Sequence, residues 1–476
     1  MQIVAASDIA ETPHQPEFIH SRYVWVIAFV AAMGGLLFGY DWVVIGGAKP
    51  FYEAYFHLTS PQLIGWATSC ALIGCFIGAL AGGAIGDCFG RRRTLILAAF
   101  LFALSSALTG WAHSFVNFIV WRIMGGVAIG LASNMSPLYI AEISPAAWRG
   151  RLVSLNQLSI VIGILAAQIV NWQIAKPIPI GATMQTITSS WNAQYAWRWM
   201  FTAVSLPALL FFLFSLWIPA SPRWLLLRGK SEQATQILAR IGGAPYAASE
   251  VRSILNSLAS SKRNVVGWRE LLTPGTRRLL LIGIVLAVLQ QWSGINILFN
   301  YAEEIYRSAG YGLNDILFNI VITGTINLLF TFLALLFVDR YGRRALMLFG
   351  CIGIAISHLC AGVAYTLGLH GAGVLLLTLC SIACYAVSLA PVTWVLISEI
   401  FPNRIRGLAV SIAVAALWSA SFLLTYLFPI LNRQFGTANV FFLYAAICLL
   451  GAVFVYQFVG ETAGCSLEQI ERTAVR

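Results

Sequence analysis

The sequence predicts an all-α integral membrane protein made of two pseudo-symmetric six-helix bundles, and three observations carry that prediction. Hydrophobic residues make up 59% of the 476-residue chain and charged residues only 10%, a balance that a water-soluble fold of this size has too little polar surface to cover. Twelve apolar runs are long enough to cross a hydrocarbon core of ~30 Å, six before the polar stretch 219–278 and six after it. Two charged signatures also recur at nearly constant offset. Asp87-Cys-Phe-Gly-Arg-Arg92 returns as Asp339-Arg-Tyr-Gly-Arg-Arg344, and Ala141-Glu-Ile-Ser-Pro145 with Arg149-Gly150 returns as Ser398-Glu-Ile-Phe-Pro402 with Arg406-Gly407. Such echoes in a chain almost empty of charge mark a duplicated bundle, an architecture that moves solutes.

The elements follow in order. Residues 1–22 form a tail of mixed charge with no apolar h-region and no cleavage pattern, so no removable signal peptide is expected. Spans beginning near residues 23, 62, 94, 115, 151 and 197 make the first bundle, residues 23–218. The linker 219–278 reads as short helices, Ser231 to Ile241 and then Ser249 to Leu258, with Gly242-Gly243-Ala-Pro245 as the break. It is too short for a catalytic domain. Spans beginning near 278, 314, 345, 372, 407 and 437 make the second bundle, 279–459, and the tail 460–476 carries one more candidate surface helix, Ser466 to Glu471.

Lys and Arg are retained on the cytoplasmic side of short loops. With both termini inside, the arginine clusters 91–93, 149–151, 340–344 and 404–406 and the basic linker all fall on one side. Only Lys49, Lys176, Arg198, Arg307 and Arg433 lie on the other, with Arg122 inside a span. The net charge of +11 is thereby explained as topology, and no nucleic-acid partner is expected. Most of the nine cysteines sit in apolar spans, and none is placed for a structural disulfide. Cys380 and Cys384 share a helical face but lack a His or a second pair, so no metal is expected.

Six motifs carry a resemblance to a known family. They are Leu36-Leu-Phe-Gly-Tyr-Asp41, Gly90-Arg-Arg-Arg93, Pro219-Ala-Ser-Pro-Arg-Trp-Leu225, Gln290-Gln-Trp-Ser-Gly-Ile-Asn296, Asp339-Arg-Tyr-Gly-Arg-Arg344 and Gly460-Glu-Thr-Ala-Gly464. In this order, over about residues 23–471, the chain resembles the sugar porters of the major facilitator superfamily, most of all bacterial proton-coupled pentose and hexose symporters. The resemblance implies the major facilitator fold and import of a monosaccharide with a proton by alternating access. It also implies a multi-pass protein of the bacterial inner membrane that works as a monomer without a cofactor and is not an enzyme. Two departures fall in the charged motifs: Cys88 stands where the family has Arg, and Ala220 where an acidic residue is common.

On the cytoplasmic side, Asp87 with Arg91, Asp339 with Arg343, Glu142 with Arg149 and Glu399 with Arg406 place opposite charges at helix ends. Pairs across the two halves are expected to hold the inner face shut. The competing explanation is that the arginines obey the positive-inside rule alone, which explains the carboxylates poorly.

Asp41 is a carboxylate within a span, a costly placement usually retained for function. A rise of ~1.5 Å per residue puts it about 27 Å above the inner start of the first span and puts Arg122 about 10 Å below the outer surface, so the two depths agree. A buried acid beside an arginine stays ionised, and shielding that arginine lets it take a proton. In the symporters that the chain resembles, an aspartate and an arginine at these positions couple the proton. The alternative is a static pair that orients the bundle.

A sugar site needs amides, which both donate and accept, and an aromatic wall. Gln290 and Gln291 lie near mid-membrane, Gly294 lets the helix break so that Asn296 joins them, Gln157 and Gln168 share one face of the fifth span, and Asn327 reaches a similar depth. Carried over from the family by position, Gln157, Gln290, Gln291, Asn296, Asn327, Trp394 and Trp418 match sugar contacts, and Phe38 an aromatic beside them. The alternatives are interhelical hydrogen bonding for the amides and a membrane-interface belt for the tryptophans. Asn300, Ala390 and Leu417 depart from the xylose-symporter pattern and leave the sugar open. Three rivals remain: a facilitative uniporter independent of Asp41, a non-transporting sugar sensor lacking the long tail it would need, and a membrane enzyme lacking an acid and histidine cluster.

Overall fold

The computed structural model describes residues 20–178, 184–262, 273–369, 371–401 and 405–461. Among them, twelve helices are long and apolar enough to cross a membrane, and each begins close to its predicted start. They are α1 (Ser21–Tyr55), α2 (Pro61–Phe89), α3 (Arg91–Gly110), α4 (Phe115–Ile143), α5 (Arg149–Ile174) and α6 (Asn192–Ser215) in the first half. The second half holds α7 (Gly275–Asn300), α8 (Leu313–Tyr341), α9 (Arg343–Thr366), α10 (Ala372–Ile397), α11 (Arg406–Phe435) and α12 (Thr437–Phe458). The expected surface helix at Ser466 to Glu471 lies outside the described residues.

Exposed leucine, phenylalanine and isoleucine side chains on the outside of the bundle, such as Phe29, Leu206 and Leu450, are what a helix bundle in lipid requires. Contact between helices then depends on backbone approach rather than on apolar burial. The crossing of α1 and α5 shows it: a Cβ on Gly39 would strike the carbonyl oxygen of Ile160, and one on Gly163 would strike that of Leu36. Phe38 of α1 and Gln157 of α5 both lie on the inner wall of the first half.

The arginine-rich loops gather at one end of the bundle. There the linker packs onto the first half through a short helix, Pro222–Leu227, and a longer one, Ser231–Lys262, which kinks at Gly242 and Gly243 where the sequence predicts a break. Trp224 Nε1 donates to the carbonyl of Asp87 at 2.9 Å, and Arg228 donates to the carbonyl of Cys88 at 2.8 Å. At the far end the two halves meet directly. Trp66 of α2 packs edge-on against Phe422 of α11 at 6.3 Å, Trp172 of α5 lies 5.6 Å from Phe318 of α8, and Lys49 of α1 pairs with Glu304, just beyond α7.

Candidate functional site

Between the halves lies a cavity of about 440 Å³. Its lining reaches from mid-helix residues of α1, α5, α7, α8, α10 and α11 toward the arginine-rich end, where Ser154 and Arg343 contribute. Phe38, Gln157, Gln290, Gln291, Asn296, Asn327, Trp394 and Trp418 all line it, so every residue expected at the sugar site converges here. Gln168 does not reach it. That side chain is buried one turn beyond Ile164, wedged against Gly324 of α8, and neither of its amide atoms has a partner.

Two helix breaks build the amide wall. Gly294 adopts φ +84°, which an L-residue with a Cβ rarely tolerates, and breaks α7 between Trp292 and Ile295. Asn296 thereby turns inward and donates to Gln291 Oε1, and Gln291 Nε2 donates to Gln290 Oε1 at 3.1 Å. The chain ends at the second break, at Ser388 in α10, where Gln290 Nε2 donates to the carbonyls of Leu389 and Ala390 at 3.3 and 3.4 Å. The three amides are thus oriented by one another. Amides held in register keep donor and acceptor capacity for a ligand without reorganising to meet it.

His358, isolated in the sequence, supports the first break. It is fully buried in α9, and its Nε2 lies 2.9 Å from the carbonyl of Ser293, a group that the break releases from helical bonding. Nε2 must donate to that carbonyl, which leaves Nδ1 to accept from Ser381 Oγ at 3.4 Å. Trp42, which no sequence motif singles out, also lines the cavity, one turn beyond Phe38. Nothing in sequence separates it from a lipid-facing or interfacial tryptophan.

Asp41 and Arg122 meet as their depths predict. Arg122 Nη1 lies 2.9 Å from both Asp41 oxygens, and each residue is only 3% exposed. Phe201 closes the site, with the guanidinium 5.3 Å from its ring centre. The pair lies behind α1 and forms no part of the cavity wall, although Phe38, Gly39 and Trp42 around it do.

The ion pairs described at the arginine-rich end lie within each half. Arg91 joins Asp87 at 2.8 Å and Glu142 at 3.1 Å, and Arg343 joins Glu399 at 3.5 Å. Arg149 does not pair with Glu142 as its sequence position suggests: its Nε donates to the carbonyl of Ala141 at 3.2 Å, while Glu142 turns toward Arg91 and accepts from Ser221 Oγ. The reason is geometric. Arg91 opens α3 beside the end of α4 and is itself buried, so its guanidinium meets the Glu142 side chain, which is only 6% exposed. The side chains of Asp339 and Arg406 lie outside the described set.

A family model described as "Sugar (and other) transporter" matches residues 27–474. The chain belongs to that family. This sugar transporter is 39% identical to the D-xylose-proton symporter of Escherichia coli, over 95% of its own length and 96% of the relative's. It is 37% identical to the arabinose-proton symporter of Bacillus subtilis, with the same coverage. Among solved structures, the inward-open conformation of the xylose transporter from E. coli matches with a TM-score of 0.82 at 37% identity, covering 94% of this chain and 99% of that one. The same transporter bound to 6-bromo-6-deoxy-D-glucose matches with a TM-score of 0.78 at 38% identity, covering 95% and 99%. The sugar transporter therefore has the major facilitator fold, with twelve membrane helices in two six-helix halves.

Proposed function

We propose that the protein imports a monosaccharide, a pentose or hexose, together with a proton by alternating access. The observation that carries this reading is the buried pair of Asp41 and Arg122, set directly behind a cavity of amides and aromatic rings. The amides Gln157, Gln290, Gln291, Asn296 and Asn327 take the sugar hydroxyls, and Phe38, Trp394 and Trp418 take its apolar faces. One Arg122 nitrogen faces both Asp41 oxygens, an arrangement suited to an ionised carboxylate, which accepts at both positions. A proton arriving at Asp41 removes that charge and frees α1 to shift against α4. The xylose and arabinose symporters named above support both the cargo and the coupling ion.

The arginine-rich end is cytoplasmic in this proposal, and both termini lie inside the bacterial inner membrane. With the far end closed and the cavity lined toward the arginines, the structure represents an inward-facing state. The in-half pairs at Arg91 and Arg343 then exchange for cross-half pairs as the inner face closes. Asp87, Glu142, Arg149, Asp339, Glu399 and Arg406 supply the remaining charges of that gate. One chain encloses the whole site, so a monomer suffices.

The test is sugar-induced alkalinisation outside right-side-out vesicles across a panel of pentoses and hexoses. The wild type takes up protons with sugar. Asp41→Asn loses concentrative uptake but keeps exchange of sugar for sugar, because the cavity is unchanged. Undiminished accumulation by Asp41→Asn refutes proton symport through this residue.

A further inference from the structure

Trp42 follows Phe38 by one turn of α1, and both rings face the cavity. Trp418 of the second half completes a triangle with them: the centroid distances are 5.7 Å for Phe38 and Trp42, 5.9 Å for Phe38 and Trp418, and 5.9 Å for Trp42 and Trp418. Each ring is braced by the other two, and Trp42 meets Phe38 nearly edge-on at 73°. The three rings form one continuous aromatic wall. Gln290, Gln291, Asn296 and Asn327 of the second half supply most of the amides of the cavity, while Asn156 and Gln157 of α5 stand on the first-half side. Leu417, beside Trp418, lines the cavity without a polar atom to offer.

We propose that Trp42 is a specificity-determining residue, selecting pyranoses whose hydroxyls are all equatorial, the gluco and xylo configurations, over epimers with an axial hydroxyl. The inference rests on the sugar-transport reading and deepens it. In an all-equatorial pyranose the hydroxyls project around the rim of the ring, within reach of amides, and the faces present only C–H bonds. Those faces suit the electron-rich face of an indole. An axial hydroxyl pressed onto the face of Trp42 loses its water and gains no partner from that face. A hydroxyl left unpaired in this way is what separates epimers most strongly, since a purely apolar size difference separates them weakly.

The experiment measures uptake by the purified full-length chain in proteoliposomes under a proton gradient. It compares two pairs of C4 epimers, D-glucose with D-galactose and D-xylose with L-arabinose, in the wild type, Trp42→Ala and Trp42→Phe. The wild type favours glucose and xylose. Both kcat/KM ratios fall about tenfold in Trp42→Ala, the size expected for loss of one well-packed aromatic contact. They fall by about threefold or less in Trp42→Phe, which keeps a smaller ring in the triangle. The Phe variant also provides the comparison if the Ala variant fails to reach the membrane. Equal losses for both members of each pair overturn the proposal, as does a wild type without preference between epimers. A wild type that moves no sugar is a different failure, one that removes the transport reading itself.

Discussion

Removing the charge of Lys49 loosens the far end of the bundle, and the structure sets the size of the effect. Lys49 is 1% exposed, pairs with Glu53 at 3.0 Å on its own helix and with Glu304 in the other half, and sits 5.2 Å over the ring of Tyr301. Breaking a wholly buried ion pair costs about 3–5 kcal/mol, whereas exposed pairs contribute about 0–1 kcal/mol. The Glu53 and Glu304 side chains are 17% and 24% exposed, so water screens part of the interaction. Lys49→Met, which keeps the stem and removes the ammonium, therefore costs the closed far end about 2 kcal/mol, a shift of about 30-fold toward states in which the halves part there. Hydrogen–deuterium exchange of the intact protein reads this shift. Amides at the far ends of α2, α5, α8 and α11 exchange faster in Lys49→Met, and those at the arginine-rich end do not. Glu304→Gln shows the same pattern, and the double variant is not additive, because both changes remove one interaction. Wild-type exchange at the far end in both single variants refutes the reasoning.

Two further outcomes follow from the site and the fold. Gln291→Leu removes the acceptor of Asn296 and the donor to Gln290 together, so the sugar KM rises by about 10- to 100-fold while the protein stays folded; uptake kinetics and a thermal melt separate the two effects. Gly39→Val forces α1 off the backbone of α5, at a cost of several kcal/mol or failure to assemble; a drop in Tm or lost membrane expression checks it, and a wild-type melting curve contradicts it.

The spans were legible because lipid permits few alternatives: a helix that crosses it must satisfy its own backbone and show apolar side chains outward, so each run of sequence declares itself. Which helices touch was not legible. That depends on where small residues let backbones approach, and Gly39 and Gly163 look in sequence like any other glycines in an apolar run. The amides of α7 could be read because depth places Gln290 and Gln291 and the Gly294 break explains Asn296. His358 could not, since its partner is a carbonyl, which every residue has. Lys49 reads in sequence as one stray cation on the far side, yet it is buried, because Glu304 comes to it from a segment more than half the chain away. Glu142 shows the same limit in reverse: Arg149 is near in sequence, but it is Arg91 that arrives inside the protein beside it.

Asp41 stands with its back to the chamber while its neighbour Trp42 looks into it. In the proposed mechanism hydrogen ion and carbohydrate occupy separate compartments divided by the thickness of a single helix, and each senses the other by pushing on that partition. A compound that plugs the chamber has no steric reason to displace what is bound behind it, so blocking cargo and blocking charge are separable acts in this molecule.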